Sequence, residues 1–161
     1  MYRKAVLFLF CILLIFTAAC SAEKEILVAE PFSLSEVTLT PSKFTENRDR
    51  MLSYLESVND DSMLYVFRDA AGLDTTGTYP LGGWDAPDVK LRGHTTGHYM
   101  TALAQAYAET KNEKFKQKLD YIVDELAKCQ EALPSQDNGM GGKNSEGYLA
   151  GYPEKQFILL E

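Results

Sequence analysis

The chain has 161 residues, of which 45% are hydrophobic, 24% charged and 11% aromatic, which is typical of a globular domain with its own core and excludes a disordered or fibrous chain. The formal net charge is -7, and no basic run occurs outside the extreme N-terminus. Nucleic acid is therefore excluded as a partner class, because an acidic surface repels phosphates.

Residues 1–19 have the pattern of an export signal. Two basic residues precede an apolar run over residues 5–16, which is too short to span a bilayer comfortably, and small residues then lead to Cys20. This order predicts a signal peptide followed by Cys20 as the acylated first residue of a bacterial lipoprotein, exported to the periplasm or the cell surface and anchored to the membrane by its lipid. A signal peptide cleaved near Ala19 or Ala22 without lipidation is the alternative.

Residues 20–30 are predicted to form a short polar tether, and residues 31–161 the domain. The domain opens with alternating apolar and polar residues over 31–39, which indicate an extended lead-in that could form a short edge strand. Thr40 and Pro41 then predict the start of a helix, with Thr40 as N-cap and Pro41 at the first helical position.

Apolar residues at helical spacing predict a first helix that runs to residue 58 and is broken by the polar residues 59–62. A second, short helix over 63–71 is expected to end at Gly72, because glycine is a good C-terminal stop. Residues 73–92 contain three glycines and two prolines and predict a long irregular loop. A loop of this length inside a compact domain is more often functional than decorative.

Two more helices are predicted on either side of a tight break at residues 111–113. One begins at Thr95 or Thr96 and ends at Thr110, and the other covers residues 114–133. The second carries the clearest helical period in the chain, an apolar stripe spaced 4-3-4-3-4 over Phe115, Leu119, Ile122, Leu126, Cys129 and Leu133. The two helices are therefore predicted to pack as a helical hairpin. The cysteine in this stripe is better explained as a core residue than as a reactive thiol.

A polar loop over residues 134–146 and an aromatic, turn-rich segment over 147–153 follow the hairpin. Another apolar run begins at Phe157, and the sequence ends inside it. This ending favours a truncated product or an excerpt of a longer chain.

The loop before the third helix and the start of that helix hold the only tryptophan and both histidines. Trp84 could stack on the C–H face of a sugar, and the carboxylates of Asp85 and Asp88 could accept hydrogen bonds from sugar hydroxyls. The alternatives are a core anchor for Trp84 and caps of the following turn for the two aspartates. The combination of these residue types favours a ligand pocket.

His94 and His98 are four residues apart and lie on one face if both are helical. The spacing is compatible with a two-ligand metal site, but no third ligand is evident, and a polar pocket, a hydrogen bond at the helix start or plain packing explains them better. No metal site is therefore predicted. The sequence also contains no Ser-His-Asp order and no phosphate-binding glycine motif. The predicted substrate-binding residues are Trp84, Asp88, Arg92, His94 and His98.

Three segments together resemble a known family. They are LGGWDAPDVKLRGHTTGHYMTALAQAYAET, ELAKCQEAL and GYLAGYPE. In this order and at about this spacing they are similar to the N-terminal part of the catalytic domain of the β-L-arabinofuranosidase glycoside hydrolases, families 127 and 146. The resemblance covers about residues 31–161.

The resemblance implies an all-α fold, a partial (α/α)6 barrel made of helical hairpins, after the short extended lead-in. It also implies hydrolysis of terminal β-L-arabinofuranosyl residues of plant-derived glycans with retention of configuration. In family 127 a cysteine nucleophile sits in a zinc site of Cys and Glu ligands, and a separate Glu is the acid/base. All of these lie downstream of the matched region, and Cys129 does not match the nucleophile. We therefore expect no catalytic residue, metal or cofactor in this chain, zinc only in the intact enzyme, and no activity of the chain alone.

Carried onto this chain, the resemblance implies a sugar pocket formed by Trp84, Asp88, His94 and His98, with Arg92 as support. The expected partner is an arabinose-containing oligosaccharide or polysaccharide. Two alternatives remain. One is a non-catalytic surface lipoprotein that binds glycans through the same loop. The other is a non-functional truncated product, whose exposed apolar stripe would favour aggregation.

Overall fold

The computed structural model describes residues 29–158. The predicted signal peptide, Cys20, nearly all of the tether and the last three residues lie outside that part of the chain. Contacts divide the chain after Phe32, and the fold described below is that of the unit from Ser33 onward. Up to residue 158, where the description ends, this unit contains five α-helices, which are α1 (Lys43–Ser57), α2 (Asp60–Ala70), α3 (His94–Thr110), α4 (Glu113–Ala132) and the short α5 (Lys155–Ile158).

The described residues contain no strand, and their one β-type pairing is an isolated antiparallel bridge between Asp137 and Lys143. The predicted all-α class is confirmed for this part of the chain. The lead-in, which was predicted to be extended, instead contains a short 3-10 turn at Leu34–Glu36.

The start of α1 differs from the prediction. The N-cap is Ser42 rather than Thr40, and Pro41 lies outside the helix. The backbone N–H of Ser42 donates to the Thr45 hydroxyl at 2.9 Å, so a residue of the first turn satisfies the cap. A local hydrogen bond therefore sets the start of this helix.

The start of α2 was also predicted too late. The helix begins at Asp60, and Asn59 caps it by accepting a hydrogen bond from the N–H of Ser62 at 3.1 Å. Most of the expected break at residues 59–62 is thus the first turn of the helix. The predicted stop is confirmed, since Gly72 follows the helix in the left-handed region with φ +68°.

The helices α3 and α4 form the predicted hairpin, joined only by Lys111 and Asn112. The Asn112 side chain caps α4 by accepting from the N–H of Lys114 at 3.1 Å. The predicted apolar stripe of α4 faces the core. Leu119 is partly buried, and the other members are buried in the core, namely Phe115, Ile122, Leu126, Cys129 and Leu133.

A polar contact set ties the junction between α1 and α2 to the hairpin. The Tyr99 hydroxyl of α3 donates to the Asp60 carboxylate at 2.9 Å and lies 3.2 Å from the Leu55 carbonyl oxygen. Lys118 of α4 contacts the same carboxylate at 3.0 Å and donates to the Val58 carbonyl at 2.9 Å. Burial, followed by the hydrogen bond to Asp60, raises the pKa of Tyr99 above its ordinary value, so this hydroxyl remains a donor.

The apolar side of α1 is buried only in its C-terminal half. Leu55 belongs to the core, whereas Phe44 and Met51 are 72% and 57% exposed.

Among the helices between residues 29 and 158, none combines the length and the hydropathy needed to cross a membrane.

The polar loop over residues 134–146 is held by a buried side chain, Asn144. Its amide donates to the Leu133 carbonyl at 3.0 Å and accepts from the N–H of Glu154 at 3.2 Å. These contacts join the end of α4 to the residue that follows the aromatic turn over residues 147–153. In this turn Gly151 lies against Val66 of α2, since an added Cβ atom would be 3.0 Å from Val66 Cγ2.

Candidate functional site

The loop between α2 and α3 presents one aromatic residue to solvent and buries the next residue. Both lie in a 3-10 turn, Gly83–Asp85. Trp84 is 71% exposed, so the core-anchor alternative for it is wrong. Asp85 is only 4% exposed, and its carboxylate points inward.

Asp85 caps helix α3 from eight residues upstream. Its Oδ1 atom accepts the N–H of Gly93 at 2.6 Å, and its Oδ2 atom accepts the Thr95 hydroxyl. The N-cap of α3 is Gly93, which has no side chain to do this, so Asp85 supplies the missing acceptor. A carboxylate at a helix N-terminus is also stabilised by the helix dipole. The capping alternative is therefore confirmed for Asp85.

Trp84, His94 and His98 form a row of rings on the surface. The ring centroids of Trp84 and His94 are 6.0 Å apart with a 41° tilt, and those of His94 and His98 are 5.8 Å apart and perpendicular. All three side chains are exposed. The structure thus brings together three of the five residues predicted to bind substrate.

The imidazole of His94 has two contacts with the loop that precedes α3. His94 Nδ1 lies 3.2 Å from the Leu91 carbonyl oxygen and 3.4 Å from Asp85 Oδ2. The same carboxylate therefore caps the helix and contacts the imidazole that begins it.

Arg92 is engaged with the backbone. Its Nε atom donates to the Gly151 carbonyl, its Nη1 atom donates to the Val89 carbonyl at 3.0 Å, and its guanidinium lies 5.9 Å from the Tyr152 ring centroid. These contacts fasten the turn over residues 147–153 to the loop before α3. Two of the five guanidinium N–H groups are thus engaged with the backbone, an arrangement that suits a side chain supporting the pocket from behind.

Asp88 stands apart from the ring row. Its side chain is exposed in the turn that precedes α3, and within residues 29–158 no hydrogen bond or ion pair joins it to the three rings.

A cleft of about 240 Å³ lies beside the row, between residues 91–94 and 149–152. Phe67 of α2 contributes to its lining, and His94 belongs both to the cleft and to the row. Leu149 and Tyr152 line the opposite side, and they were not predicted as site residues. The aromatic composition of residues 147–153 was the signal that could have pointed to them.

The described residues do not fit the zinc site that the resemblance assigns to the intact enzyme. Within residues 29–158 the only cysteine is Cys129, which is fully buried, and no three His, Cys, Asp or Glu side chains of this part are grouped to hold a metal ion. Burial raises the pKa of the Cys129 thiol to about 11, so a thiolate ligand or nucleophile is strongly disfavoured there.

A comparison with models of protein families found a match for the chain. A family model described as β-L-arabinofuranosidase, GH127 catalytic domain, matches residues 36–159. This range includes the ring row, the cleft and the helical hairpin. No curated protein matches the chain. Because the match covers most of the sequence and agrees with the family 127 part of the resemblance, the chain belongs to the GH127 family of β-L-arabinofuranosidase catalytic domains.

Proposed function

We propose that this chain binds a terminal β-L-arabinofuranosyl residue of a plant-derived glycan, as part of a retaining glycoside hydrolase. In this proposal α1 to α4 are helices of an (α/α)6 barrel, with the loop before α3 at its mouth. The observation that carries it is the exposed row of Trp84, His94 and His98 beside the cleft, in a chain of the GH127 family.

The chemistry of the row suits a small sugar. An exposed indole offers a flat apolar face to C–H groups, and imidazole nitrogens can exchange hydrogen bonds with hydroxyls. The cleft, at about 240 Å³, is smaller than the roughly 300 Å³ at which pockets for drug-sized ligands begin. A single pentose unit is therefore a better fit than a long oligosaccharide segment.

We also propose that residues 29–158 hold the sugar without breaking the glycosidic bond. The buried, protonated thiol of Cys129 is not available as a nucleophile. The carboxylate of Asp85 is occupied by the start of α3. The groups that perform hydrolysis are therefore assigned to another part of the intact enzyme.

Two measurements on the purified chain test these proposals. Calorimetry with methyl β-L-arabinofuranoside should give saturable binding that methyl α-L-arabinofuranoside and methyl β-D-xylopyranoside do not reproduce. Assays with 4-nitrophenyl β-L-arabinofuranoside should show no release of nitrophenol. Absence of binding would contradict the sugar site, and turnover by the pure chain would contradict the second proposal. Equal binding of all three glycosides would favour a general glycan-binding protein.

Export with a lipid anchor on Cys20 is a further proposal, supported by the order of the first twenty residues. In a bacterial host, labelled palmitate should be incorporated into the wild-type chain and the Cys11→Ser variant, but not into Cys20→Ser. Equal labelling of all three chains, or of none, would contradict the anchor.

A further inference from the structure

In the part of the chain that the structure describes, the two polar contacts of His94 Nδ1 are both with hydrogen-bond acceptors. The Leu91 carbonyl oxygen lies 3.2 Å from Nδ1, and Asp85 Oδ2 lies 3.4 Å from it. A carbonyl oxygen cannot donate a hydrogen bond, and an ionised carboxylate cannot either. Nδ1 must therefore carry a proton to make a favourable contact.

The position of Asp85 is set independently of His94. Its two oxygens are held by the N–H of Gly93 and the hydroxyl of Thr95, and the side chain is nearly fully buried. The carboxylate is thus a fixed acceptor, and the imidazole adapts to it. In a neutral histidine, the hydrogen bond made by one nitrogen decides which role the other nitrogen has.

We propose that Asp85 is a positioning residue, which together with the Leu91 carbonyl fixes neutral His94 as the Nδ1–H tautomer, so that Nε2 is a preset hydrogen-bond acceptor for the ligand. The ligand's identity as a sugar rests on the proposed function, whereas the tautomer does not. The energetic benefit is preorganisation, since the imidazole need not reorient when the ligand binds.

This arrangement selects a class of ligand. An acceptor at Nε2 pairs with a hydroxyl, which can donate, and offers nothing to a carboxylate or phosphate, which can only accept. The acceptor at Nε2 therefore favours a ligand hydroxyl, as in a neutral sugar, over the carboxylate of a uronic acid or the phosphate of a sugar phosphate.

His98 provides an internal comparison. Its ring is exposed and contacts His94 edge to face, and it makes no hydrogen bond to the residues that the structure describes. The same experiment on the same sample should therefore find a fixed tautomer at His94 and the mixture of an unconstrained imidazole at His98.

Nuclear magnetic resonance of the chain labelled with ¹⁵N-histidine, recorded near pH 8.5, reads the tautomer of each ring. We expect Nδ1–H at His94 in the wild type. Asp85→Asn keeps an oxygen for the Gly93 N–H but removes the negative charge 3.4 Å from Nδ1, which favours the tautomer with its proton on that nitrogen, so the ratio of Nδ1–H to Nε2–H at His94 should fall about fivefold. Asp88→Asn is the matched control, because it removes a carboxylate of the same loop that, within residues 29–158, has no hydrogen bond or ion pair with the three rings, and it should leave the ratio unchanged.

A wild-type His94 with the same tautomer mixture as His98 would overturn the proposal, and this result needs no variant to fold. An unchanged ratio in folded Asp85→Asn would overturn it as well. Calorimetry tests the class of ligand independently of the tautomer. Methyl β-L-arabinofuranoside should bind the Asp85→Asn variant about fivefold more weakly than the wild type, and galacturonate should bind neither protein. If the tautomer is fixed but no sugar binds, the proposed function fails and the role of Asp85 in fixing His94 stands.

Discussion

The ring of Phe67 lies directly against Gly93, so closely that a Cβ atom at position 93 would be 2.9 Å from Phe67 Cζ. Gly93 also has φ +94°, in the left-handed region that other residues rarely adopt. Two separate constraints, one steric and one conformational, therefore require glycine at the residue that precedes α3.

Replacing this glycine tests both constraints. Gly93→Ala should lower the free energy of unfolding by at least about 1–2 kcal/mol, the cost of a left-handed non-glycine residue, before the contact with Phe67 is counted. Urea denaturation measures the change. Gly97→Ala is the matched control, because Gly97 lies inside α3 with nothing within 4 Å of an added Cβ atom. It should raise stability by about 0.5–1 kcal/mol, and equal effects of the two substitutions would contradict the argument.

Trp84→Ala should weaken binding of methyl β-L-arabinofuranoside about fivefold, since an aromatic contact is worth about 1 kcal/mol. Stability should change by less than about 0.5 kcal/mol, because the side chain is 71% exposed. Calorimetry and thermal unfolding check the two statements. Tyr79→Ala, which removes a 79% exposed aromatic from the same loop, should leave the affinity unaltered. A loss of affinity in both variants would point to a general effect of the loop.

Tyr99→Phe should destabilise the fold by about 1–2 kcal/mol. It removes the hydroxyl that donates to Asp60 beside the Leu55 carbonyl, at a buried position where water cannot replace it. The comparison is Tyr107→Phe on the same helix, whose hydroxyl reaches Glu113 at 3.3 Å in an exposed place. That substitution should cost less than about 0.5 kcal/mol in a denaturant titration. Similar costs for both would mean that the Tyr99 hydroxyl does not hold the junction.

Cys129 should resist alkylation in the folded chain until strongly alkaline pH. Burial raises the pKa of its thiol from 9.0 to about 11, so the folded state favours the protonated form. The stability gained in this way is complete below pH 9 and is lost as the pH rises towards 11. Iodoacetamide labelling of the peptide that contains Cys129, followed by mass spectrometry between pH 7 and 11, measures this. Labelling in urea provides the unprotected rate, and an equal rate without urea would contradict the burial.

The hairpin was predictable from the sequence for a physical reason. The stripe from Phe115 to Leu133 repeats with the period of an α-helix, and a helix buried along one side needs no distant information to be recognised. The start of α1 was harder, because two capping signals lie within three residues. Thr40 with Pro41 competes with Ser42, and the hydrogen bond between Ser42 and Thr45 decides in favour of the latter.

The sequence was enough to predict which residues form the site, but not what each residue does there. The sequence places Trp84, His94 and His98 near one helix start, and the structure brings their rings into one row. Whether Asp85 binds a ligand or caps the helix depends on how the loop closes onto Gly93, which no periodicity encodes. The contact between Arg92 and Gly151 joins two loops that are 59 residues apart, and a single sequence gives no signal for such a pairing.

That last contact has a consequence for the order in which the molecule is made. The α3–α4 hairpin needs only a two-residue connection, whereas the cleft needs contacts between Arg92 and Gly151, which are 59 residues apart in the sequence. Contacts between residues distant in sequence form more slowly than local ones, and chains are synthesised from the N-terminus. On the ribosome the hairpin can therefore fold before the residues that line one side of the cleft, 149–152, have been synthesised. We expect sugar binding only after residues 147–154 have emerged, because the N–H of Glu154 donates to Asn144 at the end of that turn.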